Sequence, residues 1–350
     1  MKFLIIGLGS MGKRRIRNLQ ELDQNNIIGY DTKPQRRKEA EELYNIKTTE
    51  TIEDSWNENP DAVIISTSPK EHFEYAKKTS EMKIPFFTEI NTLSLKQMDE
   101  LIECINKNQT IGIPSCNLRF HPLIRKLKKL VDEKIVGKSL YFNLHSGAYL
   151  LDWHPWEKIE DFYVSENETG GGRDELAWEL TWIFWIMGKP KRIFANTVKL
   201  GDFKADILDT YDILIEFENG SIGHVLVDVI SSPFIRTCEI MGTDGTIRWD
   251  WEESQIKYNS RKEKKWIFHK ESELIKGHKI EQQQKGLAIS ENLGLQESYI
   301  EEMRNFIEII QNNKEIDYTF DDERNQLAVM YAAEKSYKTD KKILLKDFER

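Results

Sequence analysis

The stretch Lys2 to Gly12, KFLIIGLGSMG, constrains this chain more than any other. Phe3 to Ile6 is a short apolar run of the kind that a strand buried on both faces requires. Gly7, Gly9 and Gly12 follow at once, in the spacing of the dinucleotide fingerprint. Gly7 permits a tight turn, Gly9 lets the backbone approach a pyrophosphate, and Gly12 lets the next helix pack on the strand. A helix opening at Ser10 or Met11 aims its free N–H groups and positive dipole end at phosphates. The corner Gly7, Leu8, Gly9, Ser10, Met11 and Gly12 is therefore the candidate phosphate cradle.

The surroundings agree with that reading. After a helix over Lys13 to Leu22 comes a second apolar run, Ile27 to Tyr30, ending in Asp31. An acid about 20 residues past the glycines is placed to accept hydrogen bonds from an adenosine ribose. A carboxylate there repels the 2′-phosphate of NADP, which favours NAD. Lys33, Arg36 and Arg37 lie close behind. They read as a solvated helix start, the alternative being a grip on that phosphate. Lys13, Arg14 and Arg15 begin the phosphate-facing helix and are expected to add positive potential there.

A chain of 350 residues fits two domains. A net charge of −9 and a pI near 5.5 argue against nucleic acid or anionic membrane as partners. The basic cluster Arg125 to Lys129 reads as the wet side of a helix. Cys104, Cys116 and Cys238 show no paired short spacing, so reduced thiols are expected, with neither a disulfide framework nor a zinc site. The N-terminus enters a core strand with no cleavage signal, and no apolar run approaches ~18 residues. A soluble, cytoplasmic protein is the expectation.

From Met1 to about Asn117 strand and helix alternate. Ala62 to Ser66 is a buried strand, followed by Thr67-Ser68-Pro69 and a helix through Ser80. Pro85 to Thr88 and Thr110 to Ile113 are further strands, with a helix over Leu95 to Asn108 between them. This predicts a doubly wound parallel sheet with ligand at the carboxyl ends of its strands. After Pro122 comes an amphipathic helix, Leu123 to Asp132, and then long strands: Lys138 to Ser146, Lys191 to Leu200, Tyr211 to Phe217 and Ser221 to Ile230. Asn219-Gly220 signals a hairpin. Thr237 to Met241 and Thr246 to Trp251 pair around Thr243-Asp244-Gly245, and Lys265 to His269 adds a strand. Helices are expected over Asp174 to Met187, Glu297 to Asn312 and Asp321 to Tyr337, with Lys270 to Glu297 a loop. The expected organisation is an α/β Rossmann domain at 1–120. An α+β domain with a largely antiparallel open sheet follows at 121–350, its last helices free to pack back on the first domain.

These residues resemble the Gfo/Idh/MocA family of oxidoreductases over nearly the whole chain. The markers are GLGSMG, STSPKEH at Ser66 to His72, Glu89 where the family has Glu-Lys-Pro, NLRFHP at Asn117 to Pro122, Gly170 to Gly172 ahead of a helix, and GTDGTIRWD at Gly242 to Asp250. The resemblance implies hydride exchange between a nicotinamide and a sugar or cyclitol hydroxyl, and homo-oligomer contacts through the second domain's sheet. It also implies that Thr67, Ser68, Pro69 and His72 lie beside the nicotinamide and its ribose, with Glu89 near that ribose. Ile90 replaces the family's proton-handling lysine and Asn91 its proline. Trp178 falls where a histidine is expected, and Glu175 near the family's Asp/Glu.

An isoleucine moves no proton, and a placed base contributes ~100- to 10,000-fold. Substitutes are available. GAYLLDWHPWE, Gly147 to Glu157, carries Tyr149, Asp152, Trp153 and His154, with Asp152 and His154 a candidate acid/base pair. On the following helix Asp174 and Trp178 share one face, and Glu175, Glu179 and Trp182 a neighbouring one. Asp152, His154, Glu175 and Glu179 are the candidate catalytic groups. Tyr149, Trp153, Arg173, Asp174 and Trp178 are the candidate substrate contacts, Arg173 being alternatively a partner of Glu175 or Glu179. Trp182 and Trp185 read as core, His121 and Arg119 as structural, His224 and His269 as ordinary sheet positions, and His145 as lining the cleft. The expected function is NAD-dependent oxidation of a carbohydrate hydroxyl at a cleft between the domains. The alternatives are an NAD-retaining epimerase or lyase and a silent NAD-binding sensor or assembly subunit.

Overall fold

The computed structural model describes residues 1–153, 158–161, 163–274 and 293–349. The chain divides into two compact units, one of residues 1–117 with 299–325, the other of 118–298 with 326–350.

The first unit is built on six strands: β1 (Phe3–Ile6), β2 (Ile27–Tyr30), β3 (Lys47–Thr49), β4 (Ala62–Ile65), β5 (Phe86–Thr88) and β6 (Gly112–Pro114). They lie in the order β3-β2-β1-β4-β5-β6, every pairing parallel. Right-handed crossovers force this order when a chain winds both ways from a central first strand. The helices between them are α1 (Ser10–Glu21), α2 (Pro34–Tyr44), α3 (Ile52–Asn57), α4 (Pro69–Glu81) and α5 (Leu95–Asn108). Strands β1 and β4 are buried at every position, as strands sandwiched between helical layers must be. Met303, Phe306, Ile307 and Ile309, from a helix near the end of the chain, join the core of Phe3, Ile5, Ile16, Leu19 and Phe87.

The second unit carries α6 (Pro122–Asp132), β7 (Ser139–Gly147), α7 (Gly172–Met187), β8 (Pro190–Val198), β9 (Thr210–Phe217), β10 (Ile222–Asp228), β11 (Ile235–Gly242), β12 (Gly245–Asp250), β13 (Gln255–Ser260) and β14 (Trp266–Lys270). After them run α8 (Leu293–Asn312), α9 (Phe320–Thr339) and β15 (Ile343–Leu344), both helices crossing the boundary between the units. The sheet order is β14-β13-β12-β11-β7-β10-β9-β8-β15. All its pairings are antiparallel except β7 with β10, so the sheet is mixed at its centre.

Strands β7, β9, β10 and β11 alternate buried and more open positions, the mark of a sheet covered on one face. Helix α7 belongs to the covered side. Nearly all its residues are buried, and Trp182 packs edge-on against Phe142 and Trp249, so Trp182 is core. His145 lies among the open positions of β7, its Nε2 2.8 Å from Asp228. It alternates, as expected, with Phe142, Leu144 and Ser146, which hold the inner positions. Strand β13 falls in a stretch with no predicted element, and α8 begins four residues earlier than expected. Among the described residues no helix is long and apolar enough to cross a membrane.

Candidate active site

In the first unit, the carboxyl ends of β1, β4 and β5 converge on the glycine corner. Gly7 has φ +92°, and a Cβ there would stand 2.5 Å from the Ser66 carbonyl oxygen. A Cβ on Gly12 would fall 1.8 Å from the Gly7 carbonyl oxygen, so helix and strand meet only because that side chain is missing. Gly9 differs. Its Cβ would meet nothing nearer than Arg36, at 3.7 Å, which leaves space over the backbone for a ligand. Leu8 is buried in the core and Ser10 is exposed at the uncapped start of α1, with Met11 half-buried. A helix start with free N–H groups beneath open space fits a dinucleotide diphosphate.

Asp31 is 5% exposed and pinned from both sides. Its Oδ2 accepts from Leu8 N at 2.8 Å and its Oδ1 from Lys33 N at 2.8 Å, so the carboxylate is aimed before any ligand arrives. Arg36 Nη1 lies 3.5 Å from Oδ2, and Arg37 donates to the Asp31 carbonyl oxygen at 2.8 Å. Both arginines open α2 beside Asp31, and the Arg36 side chain keeps 37% of its surface in solvent, as a solvated helix start would.

The basic run on α1 is corrected. Lys13 pairs with Glu39. Arg14 is buried, its guanidinium 4.3 Å from the Tyr299 ring centre. Arg15 is wholly buried between Phe87 and Tyr299, bonding both oxygens of Glu89 at 2.7 Å and Glu302 at 2.8 Å. Burial alone would lower its pKa, but the two carboxylates raise it. Glu89 thereby stands fixed beside Ser66, whose Oγ donates to it at 3.1 Å. Thr67 is half-buried, Ser68 exposed and Pro69 buried at the start of α4. The Thr67 nitrogen would lie 2.8 Å from a Gly7 Cβ, so this loop adjoins the glycine corner. His72 is buried behind it, with Nε2 3.1 Å from the Thr67 carbonyl oxygen.

In the second unit, the first two turns of α7 carry three acids, Asp174 and Glu175 at its start and Glu179 a turn further on. Gly170 and Gly171 let the chain enter there: a Cβ on Gly170 would strike Val164, and Gly171 has φ +61°. The Tyr163 hydroxyl donates to Asp174 at 3.1 Å. Burial first, and then the neighbouring Glu175 charge, push the Asp174 carboxyl up to about 7, against the lowering effect of that bond. Burial also raises Glu175, against the pull of Arg236.

Arg236 of β11 bonds Glu175 at 2.9 Å and Glu179 at 2.7 Å, over the rings of Trp251 and Phe234. Ser146, its cross-strand partner on β7, donates to both carboxylates at 3.0 Å. Glu179 is 0% exposed, and Trp182 Nε1 donates to its other oxygen at 2.7 Å. That corrects Glu179 from a proton-moving group to the buried anchor of Arg236. Arg173 is corrected too. Glu334 takes its charge beside Tyr331, and Tyr211 donates to the same glutamate.

Tyr149, Trp153 and Tyr163 pack on a satellite core of Leu150, Val164, Phe203, Ile207 and Val229. Trp153 Nε1 is buried with no hydrogen-bond partner among the described residues. Trp178 is half-buried one turn along α7 from Asp174, and Asp152 is exposed. His154, with Trp156 and Glu157, lies outside the described residues. Tyr163, Ser146 and Arg236 were not anticipated. Each sits far from α7 in sequence or carries a residue type with no distinguishing local pattern.

Comparison with known proteins adds the family. Residues 1–113 match the model described as "Oxidoreductase family, NAD-binding Rossmann fold", and residues 124–248 match the GFO/IDH/MocA C-terminal domain. Myo-inositol 2-dehydrogenase of Thermotoga maritima is 26% identical over 248 residues, 64% of this chain and 67% of that one. An oxidoreductase from Agrobacterium radiobacter, solved with NAD+, L-tartaric acid and magnesium, superposes with a TM-score of 0.87 at 16% identity, covering 100% of this chain and 99% of that one. Levoglucosan dehydrogenase in complex with NADH gives 0.83 at 16% identity, covering 99% of each. These two likenesses show the fold. Two family models over separate parts of the chain, on an all-parallel sheet with this glycine corner, make the protein an NAD-binding oxidoreductase of the Gfo/Idh/MocA family.

Proposed function

We propose that the protein oxidises a secondary hydroxyl of a carbohydrate or cyclitol with NAD, and that Asp174 receives the hydroxyl proton in place of the family's lysine and histidine. The observation that carries this is Asp174 itself, a buried carboxyl at about 7 that accepts a hydrogen bond from Tyr163. A base poised near neutrality combines a useful ionised fraction with real driving force for proton transfer. In the first unit Gly7 to Gly12, Asp31, the Thr67–Pro69 loop with His72 behind it, and Glu89 are the groups to hold the dinucleotide, which when bound supplies the hydride acceptor. In the second unit Asp174 takes the proton and Tyr163 orients it. Glu175, tied to Arg236 at 2.9 Å, holds its place beside Asp174, while Trp153, Tyr149 and Trp178 offer flat faces for sugar C–H groups. The tartrate, inositol and levoglucosan named for the relatives support a small polyhydroxylated substrate.

The test offers purified protein NAD with a panel of cyclitols, sugars and sugar acids and follows absorbance of reduced nicotinamide. Turnover should appear with a rate that rises with pH through about 7, since Asp174 must be ionised to accept a proton. Asp174→Asn should lose ~100- to 10,000-fold in kcat with NAD affinity unchanged. Full activity in that variant sinks the assignment. A second reading rests on Ile90, which is 7% exposed where the family has its lysine: a silent NAD-binding subunit, which would bind NAD and turn over nothing in the panel.

Self-association belongs to the same reading. Leu214, Ile222, Met241 and Phe268 are 52%, 54%, 42% and 51% exposed, on the open positions of the nine-stranded sheet. Light scattering should give a multiple of the 41.2 kDa chain, reduced by Leu214→Glu. A monomer at micromolar concentration would remove this part.

A further inference from the structure

A buried chain of hydrogen bonds runs from the Thr67 carbonyl through His72 and Asn91 to Glu323, all within the first unit. His72 Nε2 lies 3.1 Å from the Thr67 carbonyl oxygen, and Nδ1 lies 2.9 Å from Asn91 Oδ1. Asn91 Nδ2 donates to Glu323 Oε2 and to Thr88 Oγ1, both at 2.8 Å, and Asn91 N donates to Glu323 Oε1 at 3.0 Å. His72 and Asn91 are 1% exposed and Glu323, in the first turn of α9, is 2% exposed. Asn91 stands where the resemblance places a proline, a residue with no backbone N–H and no side-chain amide to make these bonds.

We propose that Asn91 and Glu323 are positioning residues for the cofactor, holding the Thr67–Pro69 loop through His72 in a chain whose polarity is set by the proton on Glu323. It rests on reading that loop as a cofactor contact. With Glu323 protonated and the Asn91 amide turned by 180°, Glu323 donates to Asn91 Oδ1, Asn91 Nδ2 donates to His72 Nδ1, and His72 Nε2–H donates to the Thr67 oxygen. Every link is then satisfied with no buried charge. The orientation found satisfies the same links only with an ionised Glu323 and an imidazolium, two charges out of water. Once the shared proton is lost, a neutral imidazole has one N–H for two acceptors, and two lone pairs must face each other at Thr67 or at Asn91.

Burial favours the neutral chain, lowering His72 and pushing Glu323 up to about 8 against its Asn91 bonds. Of the charged groups on neighbouring elements, Glu89 faces His72 and is itself tied to Arg15, while Arg324 on α9 is turned to Asp99 of α5.

The experiment measures NAD affinity by fluorescence titration and hydrogen exchange of peptides covering residues 66–72, at matched pH, in wild type, Glu323→Gln, Glu323→Ala and Asn91→Ala. NAD should slow exchange in these peptides. Between pH 6 and pH 9 wild type should lose about tenfold in NAD affinity, the equivalent of one buried hydrogen bond, as exchange rises. Glu323→Gln, which keeps a donor with no titration, should hold the pH 6 values throughout. Glu323→Ala and Asn91→Ala should show the loosened values at every pH. If NAD fails to protect residues 66–72, the cofactor reading of the loop falls and takes the proposal with it. If NAD protects them but Glu323→Gln follows wild type across the pH range, the loop reading stands and the positioning chain is overturned.

Discussion

Asp31 holds two backbone N–H groups and has an arginine at its edge, and that arrangement makes a prediction about cofactor choice. On the proposed reading this carboxylate accepts from the adenosine ribose and disfavours a 2′-phosphate, while Arg36 is the cation such a phosphate would seek. Asp31→Ser should weaken NAD at least about tenfold, since hydrogen bonds to charged groups contribute ~1.5–3 kcal/mol. It should improve NADP, because Arg36 remains. Titration of both dinucleotides checks this, and an unchanged affinity ratio would refute it. Asp31 was legible in the sequence because a local rule places it: glycines, helix, strand, acid. Tyr163 and Arg236 obey no such rule. Arg236 lies 61 residues from Glu175 in sequence and reaches it only because β11 pairs with β7. Arg14 and Arg15 misled for the same reason, since Tyr299 and the carboxylate that draws Arg15 inward beside Glu89 both come from α8, the latter 287 residues on.

At the scale of elements, the glycine corner separates packing from binding. Gly12→Ala places a methyl 1.8 Å from the Gly7 carbonyl oxygen, so α1 must lift off β1, and overpacking of this sort typically costs ~1–3 kcal/mol. Gly9→Ala meets only Arg36, at ordinary contact distance, and should fold with wild-type stability while losing NAD affinity. Thermal unfolding and NAD titration of the two variants should therefore diverge, Gly12→Ala failing in both and Gly9→Ala in binding alone. A Gly9→Ala protein that binds NAD like wild type would show that no diphosphate approaches this backbone. Long, periodic elements such as α5 and α7 were readable, as was the alternation that made β9 and β10 a hairpin. Strand β13, QIKYNS, was not, for it has one fully buried apolar side chain, Ile256, and takes its place by pairing with β12 and β14. The parallel pairing of β7 with β10 was equally hidden. A half-covered strand shows the same period-two pattern whichever way its neighbour runs.

For the molecule as a whole, buried carboxyls weaken stability toward alkali, Glu175 and Glu302 among them, and two are displaced far enough to be followed singly. Glu323 in the first unit is pushed up to about 8 and Asp174 in the second to about 7, burial being the leading cause in each. In the unfolded chain both would titrate near 4. Between the two values the folded protein binds protons that the unfolded chain has released, so stability falls as pH rises. The contribution is fully present below about pH 4, shrinks through the neutral range, and is gone once the pH has passed the folded value. At ~1.4 kcal/mol per pH unit, each group accounts for a decline on the order of 4 kcal/mol. His72 acts in the opposite sense, since burial lowers it and acid must charge it, so some stability is also lost as pH falls through its range. Glu323→Gln keeps the shape and removes the titration. Its urea-unfolding free energy should match wild type near pH 4 and exceed it by a margin that widens until the pH passes about 8, with Asp174→Asn behaving likewise but levelling off about one unit earlier. Because the two acids belong to different units, the gain from each should appear in the unfolding of its own unit, followed by hydrogen exchange in β1 and β4 for one and β9 and β10 for the other. Parallel pH curves for wild type and both variants would mean that these carboxyls ionise in the folded chain as readily as in water, and the burial on which the argument stands would then be wrong.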